Sequence, residues 1–164
     1  MTQMFDRYSR QMLFSQIGHE GQKNIKNSRV FIVGMGALGT VASNHLVRAG
    51  VGFLLFADRD YVAWSNLQRQ MLFDEDDVRQ SLPKAVAAER KLKKINSDVE
   101  IESYVTDVTA DNIEDLLRDV DIVVDGTDNF QTRFLINDAC FKHGIPYVYG
   151  GVVSSRGMSA LFIP

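Results

Sequence analysis

The stretch that decides the fold is Gly34-Met35-Gly36-Ala37-Leu38-Gly39. It follows Arg29–Val33, a β-branched run typical of a buried strand, and it precedes Ala37–Ala49, which carries apolar residues at helical spacing. Glycines in a G-x-G-x-x-G pattern between a strand and a helix allow a tight turn, a close approach of the backbone to phosphate and close packing of the helix on the strand. The free N–H groups at the start of the helix also attract an anion. We therefore predict a phosphate-binding loop formed by Gly34, Gly36, Ala37, Leu38 and Gly39.

Strands and helices are predicted to alternate along the rest of the chain. Further strands are predicted at residues 52–57, 99–105, 121–124, 146–149 and 158–163, and further helices at residues 84–95, 112–118 and 130–143. Residues 4–25 predict one or two amphipathic helices broken at Gly18 and Gly21, and residues 59–82 predict mainly a loop with one short helix. The alternation predicts an α/β fold of the Rossmann type, with a mostly parallel sheet, helices on both faces and N-terminal helices before the first strand. The 164 residues are expected to form one domain with a Rossmann-like core at residues 28–150.

Composition limits the classes of function. The net charge of −3 argues against a protein that binds nucleic acid or a membrane with its whole surface, so neither is an expected partner. No apolar run is long enough to span a bilayer, and the N-terminus lacks the apolar core of a signal peptide. The single cysteine, Cys140, can form neither an internal disulfide nor a thiolate zinc site by itself, and its position in an apolar helix predicts burial. These features together predict a cytoplasmic location.

An acidic residue in the right place strengthens the nucleotide-binding hypothesis. Asp58 lies 19 residues after Gly39, at the end of the second predicted strand. A carboxylate at this position is placed to accept hydrogen bonds from ribose hydroxyls. NAD and ATP both contain ribose and phosphate, so these features alone leave the choice of nucleotide open.

The polar segment after Asp58 favours ATP over NAD. It contains Asp60 and then Ser65-Asn66-Leu67-Gln68-Arg69-Gln70, and Lys84 follows at the start of the next predicted helix. A triphosphate carries several negative charges, and arginine presents a planar fork of donors that matches phosphate oxygens. Solvated surface cations are the alternative for Arg69 and Lys84. Their combination with polar amides favours a binding site, to which we assign Asp60, Asn66, Arg69, Gln70 and Lys84.

A second acidic segment, Asp125-Gly126-Thr127-Asp128-Asn129, directly follows the fourth predicted strand. Ligands of doubly wound sheets bind at the carboxyl ends of the strands. Two carboxylates there would repel a triphosphate unless a divalent cation lay between them, and Mg²⁺ is the natural choice. We therefore predict that Asp128 and Asn129 belong to the site. The alternative is that these two residues cap the following helix, and part of that role is expected.

These motifs together resemble the ThiF/MoeB/HesA family, relatives of the ubiquitin-activating enzymes. The matching segments, in chain order, are Arg7-Tyr8-Ser9-Arg10-Gln11, the glycine loop, Asp58 with Asp60, the Ser65-to-Gln70 segment, Pro83-Lys84 and Thr127-Asp128-Asn129. The resemblance covers essentially the whole chain in the same order.

The resemblance implies an adenylyltransferase that uses ATP and Mg²⁺. In that reaction the C-terminal Gly-Gly carboxylate of a ubiquitin-like sulfur-carrier protein attacks the α-phosphorus of ATP and pyrophosphate leaves. The resemblance implies that Asp58 binds the ribose, that Asn66, Arg69 and Lys84 bind phosphates, and that Asp128 holds Mg²⁺. It also implies a homodimer in which Arg10 reaches the ATP site of the other subunit. The residues given a catalytic role are Arg10, Arg69, Lys84 and Asp128.

Such a reaction needs no general base. An α-carboxyl group has a pKa of about 3.5 and is ionised at pH 7. The scattered positions of the three histidines, His19, His45 and His143, agree with this. The barrier lies in bringing two anions together, so cations must be preorganised around the phosphates.

Members of the family usually carry a pair of C-x-x-C zinc motifs in a further portion of chain, and this sequence has none, so no zinc site is expected. The last predicted strand runs into the chain end, and we therefore expect the sequence to be a fragment. Two other functions stay open from the residues: an NAD(P)-dependent oxidoreductase and a non-catalytic partner-binding subunit.

Overall fold

The computed structural model describes the backbone of residues 2–164 and the side chains of residues 6–164. Its strands are β1 (Arg29–Val33), β2 (Phe53–Ala57), β3 (Glu100–Tyr104), β4 (Ile122–Asp125), β5 (Tyr147–Val153) and β6 (Arg156–Phe162). Its helices are α1 (Thr2–Met12), α2 (Gly18–Asn27), α3 (Ala37–Ala49), α4 (Glu75–Arg79), α5 (Lys84–Ile95), α6 (Ile113–Leu116) and α7 (Phe130–His143), with a 3-10 turn at Trp64–Asn66.

The strands form one six-stranded sheet in the order β3-β2-β1-β4-β5-β6. The five strands from β3 to β5 run parallel, and β6 pairs antiparallel with β5. After β1 the chain continues to one side through β2 and β3, and β4 then returns to the other side of β1. This order confirms the predicted Rossmann-type sheet. It also creates a switch point between β1 and β4, where sheets of this type bind ligands.

Helices cover both faces of the sheet, as predicted. On one face Ile32 and Phe56 pack against α3 and α5, and on the other Phe31 and Val123 pack against α6 and α7. Side chains of a strand alternate between the two faces, so burial on both faces requires a continuous apolar run rather than alternation. This is why residues 30–33 of β1 and all five residues of β2 are apolar.

The predicted ends of two helices are confirmed by the backbone. Gly50 has φ +86° and donates from its N–H to the carbonyls of Leu46 and Val47, which closes α3. Gly144 has φ +68° and closes α7 in the same way. Glycine adopts this left-handed conformation without the steric penalty that a Cβ brings.

The N-terminal helices pack at the amino-terminal edge of the sheet. Tyr8 is buried, and its hydroxyl accepts a hydrogen bond from Asn96 Nδ2 at 2.8 Å. Gln11 and Gln22 both donate to the carbonyl of Ala49, at 2.8 and 3.0 Å. Because Ala49 and Asn96 end α3 and α5, helices α1 and α2 lie at the opposite end of the sheet from the carboxyl ends of the strands.

Some predicted boundaries are wrong. The helix over Gly18–Asn27 begins at Gly18 and continues through Gly21 instead of breaking there. Residues 59–82 are mainly loop with one short helix, α4, as predicted, and they also contain a 3-10 turn; Asp74 caps α4 by accepting from two backbone N–H groups. β5 extends to Val153, four residues beyond its predicted end, and forms a hairpin with β6. Over residues 2–164, the structure contains no helix with the length and apolar character needed to cross a bilayer.

Candidate functional site

The glycine loop turns between β1 and α3 at the carboxyl edge of the sheet. Gly34 has φ +89°, and its N–H donates to the carbonyl of Ala57 at 2.9 Å. A Cβ on Gly39 would lie 1.9 Å from the carbonyl oxygen of Gly34, so only glycine allows the helix to approach the loop this closely. A Cβ on Gly36, by contrast, would meet no atom closer than 3.9 Å. The open space at Gly36 therefore lies outside the packed part of the loop, where a ligand can approach the backbone.

The start of α3 is open to an anion. Gly36 occupies the N-cap position, and none of the side chains described in the structure accepts a hydrogen bond from the first helical N–H groups. Uncapped N–H groups at a helix N-terminus carry a partial positive charge and bind phosphate oxygens. The predicted roles of Ala37 and Leu38 agree with this position at the first turn of the helix.

Asp58 connects the end of β2 to the glycine loop. Its Oδ2 accepts from the N–H of Met35 at 2.7 Å, and its Oδ1 accepts from the N–H of Asp60 at 2.7 Å. Burial raises the pKa of the Asp58 carboxyl, and the two backbone hydrogen bonds oppose that shift. Each carboxylate oxygen keeps a further lone pair, so the predicted contact with a ribose hydroxyl is possible while the loop is held. The bond to Met35 is a structural role that sequence reasoning missed.

Lys84 and Asp60 form an ion pair at the start of α5. Lys84 is only 6% exposed, and its Nζ lies 2.8 Å from Asp60 Oδ2. The backbone strengthens this link, because the N–H of Lys84 donates to the carbonyl of Asp60 at 2.8 Å. Lys84 is therefore a buried, oriented cation rather than the solvated surface lysine of the alternative interpretation.

The other predicted polar residues lie on the 3-10 turn and just after it. Asn66 Oδ1 accepts from the N–H of Ala63 at 2.9 Å and closes the turn. Arg69 is exposed, and its Nη1 donates to the carbonyl of Ser65 at 2.8 Å, which leaves the rest of the guanidinium free to contact a ligand.

Gln70 carries an unsatisfied buried acceptor beside the glycine loop. Its side chain is 3% exposed, and its Oε1 accepts no hydrogen bond from any residue that the structure describes. Its Nε2 lies 3.9 Å from the position of a Cβ on Gly36, so the amide borders the open side of the loop. A buried acceptor without a partner is destabilising, and a ligand hydroxyl or amino group at this place would satisfy it.

The carboxylates of Asp125, the last residue of β4, and of Asp128, which follows it, have different environments, which corrects the interpretation of both as facing the ligand. Asp125 is 2% exposed, and its oxygens accept from Thr127, Arg133 and Tyr147. Its charge is therefore neutralised inside the protein. Burial, and the hydrogen bond to Asp125, raise the pKa of Tyr147 far above its ordinary value.

Asp128 is exposed, and no hydrogen bond or ion pair links its carboxylate to the part of the chain that the structure describes. The cap of α7 is Asn129 alone, whose Oδ1 accepts from the N–H of Thr132 at 2.9 Å. The capping alternative is thus correct for Asn129 and wrong for Asp128. The carboxylate of Asp128 is available for a ligand, next to a loop in which Gly126 packs on the backbone of Gly34 and Gly39.

The residues present fit a metal that a nucleotide brings with it. Within residues 6–164 there is no group of three or more His, Cys, Asp or Glu side chains that could enclose a cation. Mg²⁺ is commonly held by one or two carboxylates together with phosphate oxygens and water. The single free carboxylate of Asp128, at the switch point and beside the glycine loop, matches that arrangement.

Arg10 is not brought together with the rest of the predicted site. It is exposed on α1. Another residue of the same helix, Arg7, donates to the carbonyl of Ile95 at the end of α5, which places α1 near that end. The glycine loop lies at the other end of α3, a helix of 13 residues and hence about 20 Å long. Arg10 therefore lies about a helix length away from the site of its own chain.

Cys140 is buried as predicted. It is 1% exposed, and burial raises the pKa of its thiol to about 11. A thiol that stays protonated and enclosed at neutral pH is a core side chain rather than a nucleophile.

Comparison with known proteins agrees with this geometry. The sequence model of the ThiF family matches residues 8–164. The sulfur carrier protein ThiS adenylyltransferase of Bacillus subtilis is 56% identical over 161 residues, which are 98% of this chain and 48% of that protein. A sulfur carrier protein adenylyltransferase of Thermus thermophilus is 43% identical over 157 residues, 96% of this chain and 57% of that protein.

The solved structure of E. coli MccB with ATP superposes with a TM-score of 0.87 at 30% identity, covering 96% of this chain and 48% of MccB. The chain thus spans about half the length of the relatives it matches. The family model matches nearly all residues of the chain, and the fold agrees with that of a solved structure 30% identical to it, so this chain belongs to the ThiF family.

Proposed function

We propose that this chain is the ATP-binding part of an adenylyltransferase that activates the C-terminal Gly-Gly carboxylate of a ubiquitin-like sulfur-carrier protein and releases pyrophosphate. The observation that carries the proposal is the meeting of three features at the switch point. These are the open backbone at Gly36, the unsatisfied Gln70 Oε1 and the free Asp128 carboxylate. Relatives named as sulfur carrier adenylyltransferases, 56% and 43% identical, support the substrate class.

Different residues of the chain bind the phosphates and the ribose of ATP. The N–H groups at the start of α3 bind phosphate, and Asp58 accepts from the ribose while it holds the loop at Met35. Arg69 contributes an exposed guanidinium to the phosphates, and Lys84 a buried ammonium. Since Asp60 already pairs with Lys84, it holds this side chain in place before ATP arrives.

Catalysis in this proposal is electrostatic. The attacking carboxylate is ionised at pH 7, so no group has to remove a proton from it. Arg69 and Lys84 neutralise charge on the phosphates, and Asp128 holds Mg²⁺ with them. Mg²⁺ supplies further neutralisation of the charge that builds on the leaving pyrophosphate. Preorganised cations of this kind are the main source of rate enhancement in phosphoryl transfer.

We extend the proposal to a homodimer in which Arg10 serves the ATP site of the second subunit. The position of α1 supports it, because an exposed arginine about a helix length from its own site cannot complete that site. Leu13 and Phe14, which follow α1 directly, are 75% and 55% exposed and offer apolar surface for a subunit contact. A cytoplasmic location, where thiols such as Cys140 stay reduced, belongs to the same proposal.

ATP–pyrophosphate exchange tests the proposed reaction. The natural protein that contains this chain is assayed with carrier proteins that end in Gly-Gly, and with the same carriers lacking the two glycines as controls. Exchange that depends on the intact carrier supports the proposal. Absence of exchange with every carrier, combined with thermal protection by NAD and none by ATP, refutes it in favour of an oxidoreductase.

A further inference from the structure

Arg133 donates four hydrogen bonds near the site, and the proposed function assigns it no role. It lies in the first turn of α7, and its side chain is only 13% exposed. Its Nε donates to Asp125 Oδ2 at 3.1 Å, where the carboxylate is fully enclosed. Its Nε and both of its Nη nitrogens donate within the protein, Nη1 through one bond of 3.4 Å to the hydroxyl of Tyr149, so four of its five N–H groups are already used.

The contacts of Arg133 connect four different parts of the chain. Its Nη2 donates to the carbonyl of Thr127 at 2.7 Å and to the carbonyl of Gly150 at 3.1 Å. Its guanidinium also stacks over the ring of Tyr149, 4.9 Å from the ring centre. One side chain therefore joins the end of β4, the turn after it, α7 and β5.

The turn that these contacts hold is the one that carries Asp128. We call residues 126–129, between β4 and α7, the Asp128 turn. On one side of Asp128, Thr127 donates from its N–H and hydroxyl to Asp125 and accepts from Arg133 at its carbonyl. The Asp128 carboxylate has no partner of its own in the described chain, so its place is set by this backbone.

The same turn is packed against the glycine loop. A Cβ on Gly126 would lie 2.6 Å from the carbonyl oxygen of Gly34 and 3.1 Å from the Cα of Gly39. Two backbones in such contact have one well-packed relative position. A shift of the Asp128 turn would therefore change the distance between the carboxylate and any phosphate on the loop.

We infer that Arg133 is a positioning residue, which holds the Asp128 carboxylate at the distance from the glycine loop that a nucleotide-bound Mg²⁺ requires. This inference rests on the proposed function, in which Asp128 holds that metal. Lysine cannot replace arginine in this role, because one ammonium cannot reach Asp125, Thr127 and Gly150 together in the planar geometry of a guanidinium. Loss of a residue that orients a metal ligand typically lowers metal affinity about 10–100-fold.

The test measures the dissociation constant of ATP by calorimetry, once with Mg²⁺ and once with EDTA. Their ratio is the metal preference of the site, a binding quantity that does not depend on turnover. For Arg133→Lys we expect a loss of metal preference of about tenfold or more, with ATP affinity in EDTA within twofold of the wild type. The matched control is Arg118→Lys, an exposed arginine paired with Asp115 on the surface, which should keep the wild-type ratio.

Two results overturn the inference while the proposed metal site stands: an unchanged metal preference in Arg133→Lys, or an equal loss of ATP affinity with and without Mg²⁺. Both results count against the inference when Asp128→Asn, measured in the same experiment, has lost the metal preference. If Asp128→Asn keeps that preference, the metal site of the proposed function fails and the inference fails with it.

If Arg133→Lys does not fold, the double variant Asp125→Asn/Arg133→Met replaces it. This variant removes both buried charges together, so neither is left unpaired. The same loss of metal preference is expected, and a wild-type ratio in the folded double variant overturns the inference.

Discussion

The second and third glycines of the motif, Gly36 and Gly39, should respond to alanine in different ways. At Gly39 an added Cβ would lie 1.9 Å from the carbonyl oxygen of Gly34 and 2.9 Å from its carbonyl carbon, so the backbone must move. Overpacking of this kind costs about 1–3 kcal/mol, and contact with backbone rather than a flexible side chain favours the upper end. Alanine recovers about 1 kcal/mol of helix propensity. The net expected loss for Gly39→Ala is about 2 kcal/mol.

At Gly36 the same methyl group would meet nothing closer than 3.9 Å, and φ is −83°, so the fold has room for it. Gly36→Ala should change stability by less than about 1 kcal/mol, the size of an N-cap effect. It should nevertheless weaken ATP binding about tenfold, a loss of about 1.4 kcal/mol, because the methyl group occupies the open side of the loop.

Thermal unfolding and calorimetric titration with ATP separate the two effects. For a chain of this size, about 2 kcal/mol lowers Tm by about 4–8 °C, and this shift is expected for Gly39→Ala alone. Wild-type ATP affinity in Gly36→Ala would show that phosphate does not approach the loop at this residue. Wild-type stability in Gly39→Ala would refute the close backbone contact.

Three further outcomes are expected. ATP with Mg²⁺ at a hundredfold excess over its dissociation constant should stabilise the chain by about 2.7 kcal/mol in thermal or denaturant unfolding, and protection by NAD alone would contradict the choice of nucleotide. Cys140→Ala should lower stability by about 1–2 kcal/mol and leave ATP binding unchanged. Since the thiol has a pKa of about 11 and stays protonated at pH 8, rapid labelling of the native protein at that pH would contradict its burial. Finally, Arg10→Ala and Asp128→Asn subunits of the natural protein should each be inactive in pyrophosphate exchange but recover activity on mixing, because a mixed dimer holds one complete site. A mixture that stays inactive after confirmed subunit exchange would exclude a role of Arg10 across subunits.

Where the fold was predicted correctly, local patterns were sufficient. Arg29–Val33 and the helix at Ala37–Ala49 were predicted with the bounds that the structure shows, because the apolar run, the glycines between them and the stop at Gly50 all act within one βα unit. The predicted helices over Lys84–Ile95 and Phe130–His143 also have these bounds. In each case the start or stop signal lies within a few residues of the helix end.

The hairpin of β5 and β6 shows where local patterns fail. Val152 and Val153 are 58% and 79% exposed, so this part of β5 lacks the alternation of buried and exposed residues by which a strand is predicted from sequence. Its conformation is set by pairing with β6, in which Gly151 lies opposite Met158. Cross-strand pairing is a contact between two segments of the chain, and the local sequence of one segment does not show its partner.

For the site, the sequence by itself determined the residue types and their order along the chain. A glycine loop after β1, an acid after β2 and an acidic turn after β4 must meet at one edge once the strands are parallel. Only the tertiary structure decided which side chains are free. Asp125 and Asp128 are three residues apart and look alike in sequence. The first is buried, pairs with Arg133 and accepts from the hydroxyl of Tyr147, whereas the second is exposed. The partners that bury or orient a charge come from distant segments, and their distances arise only when the whole sheet is assembled.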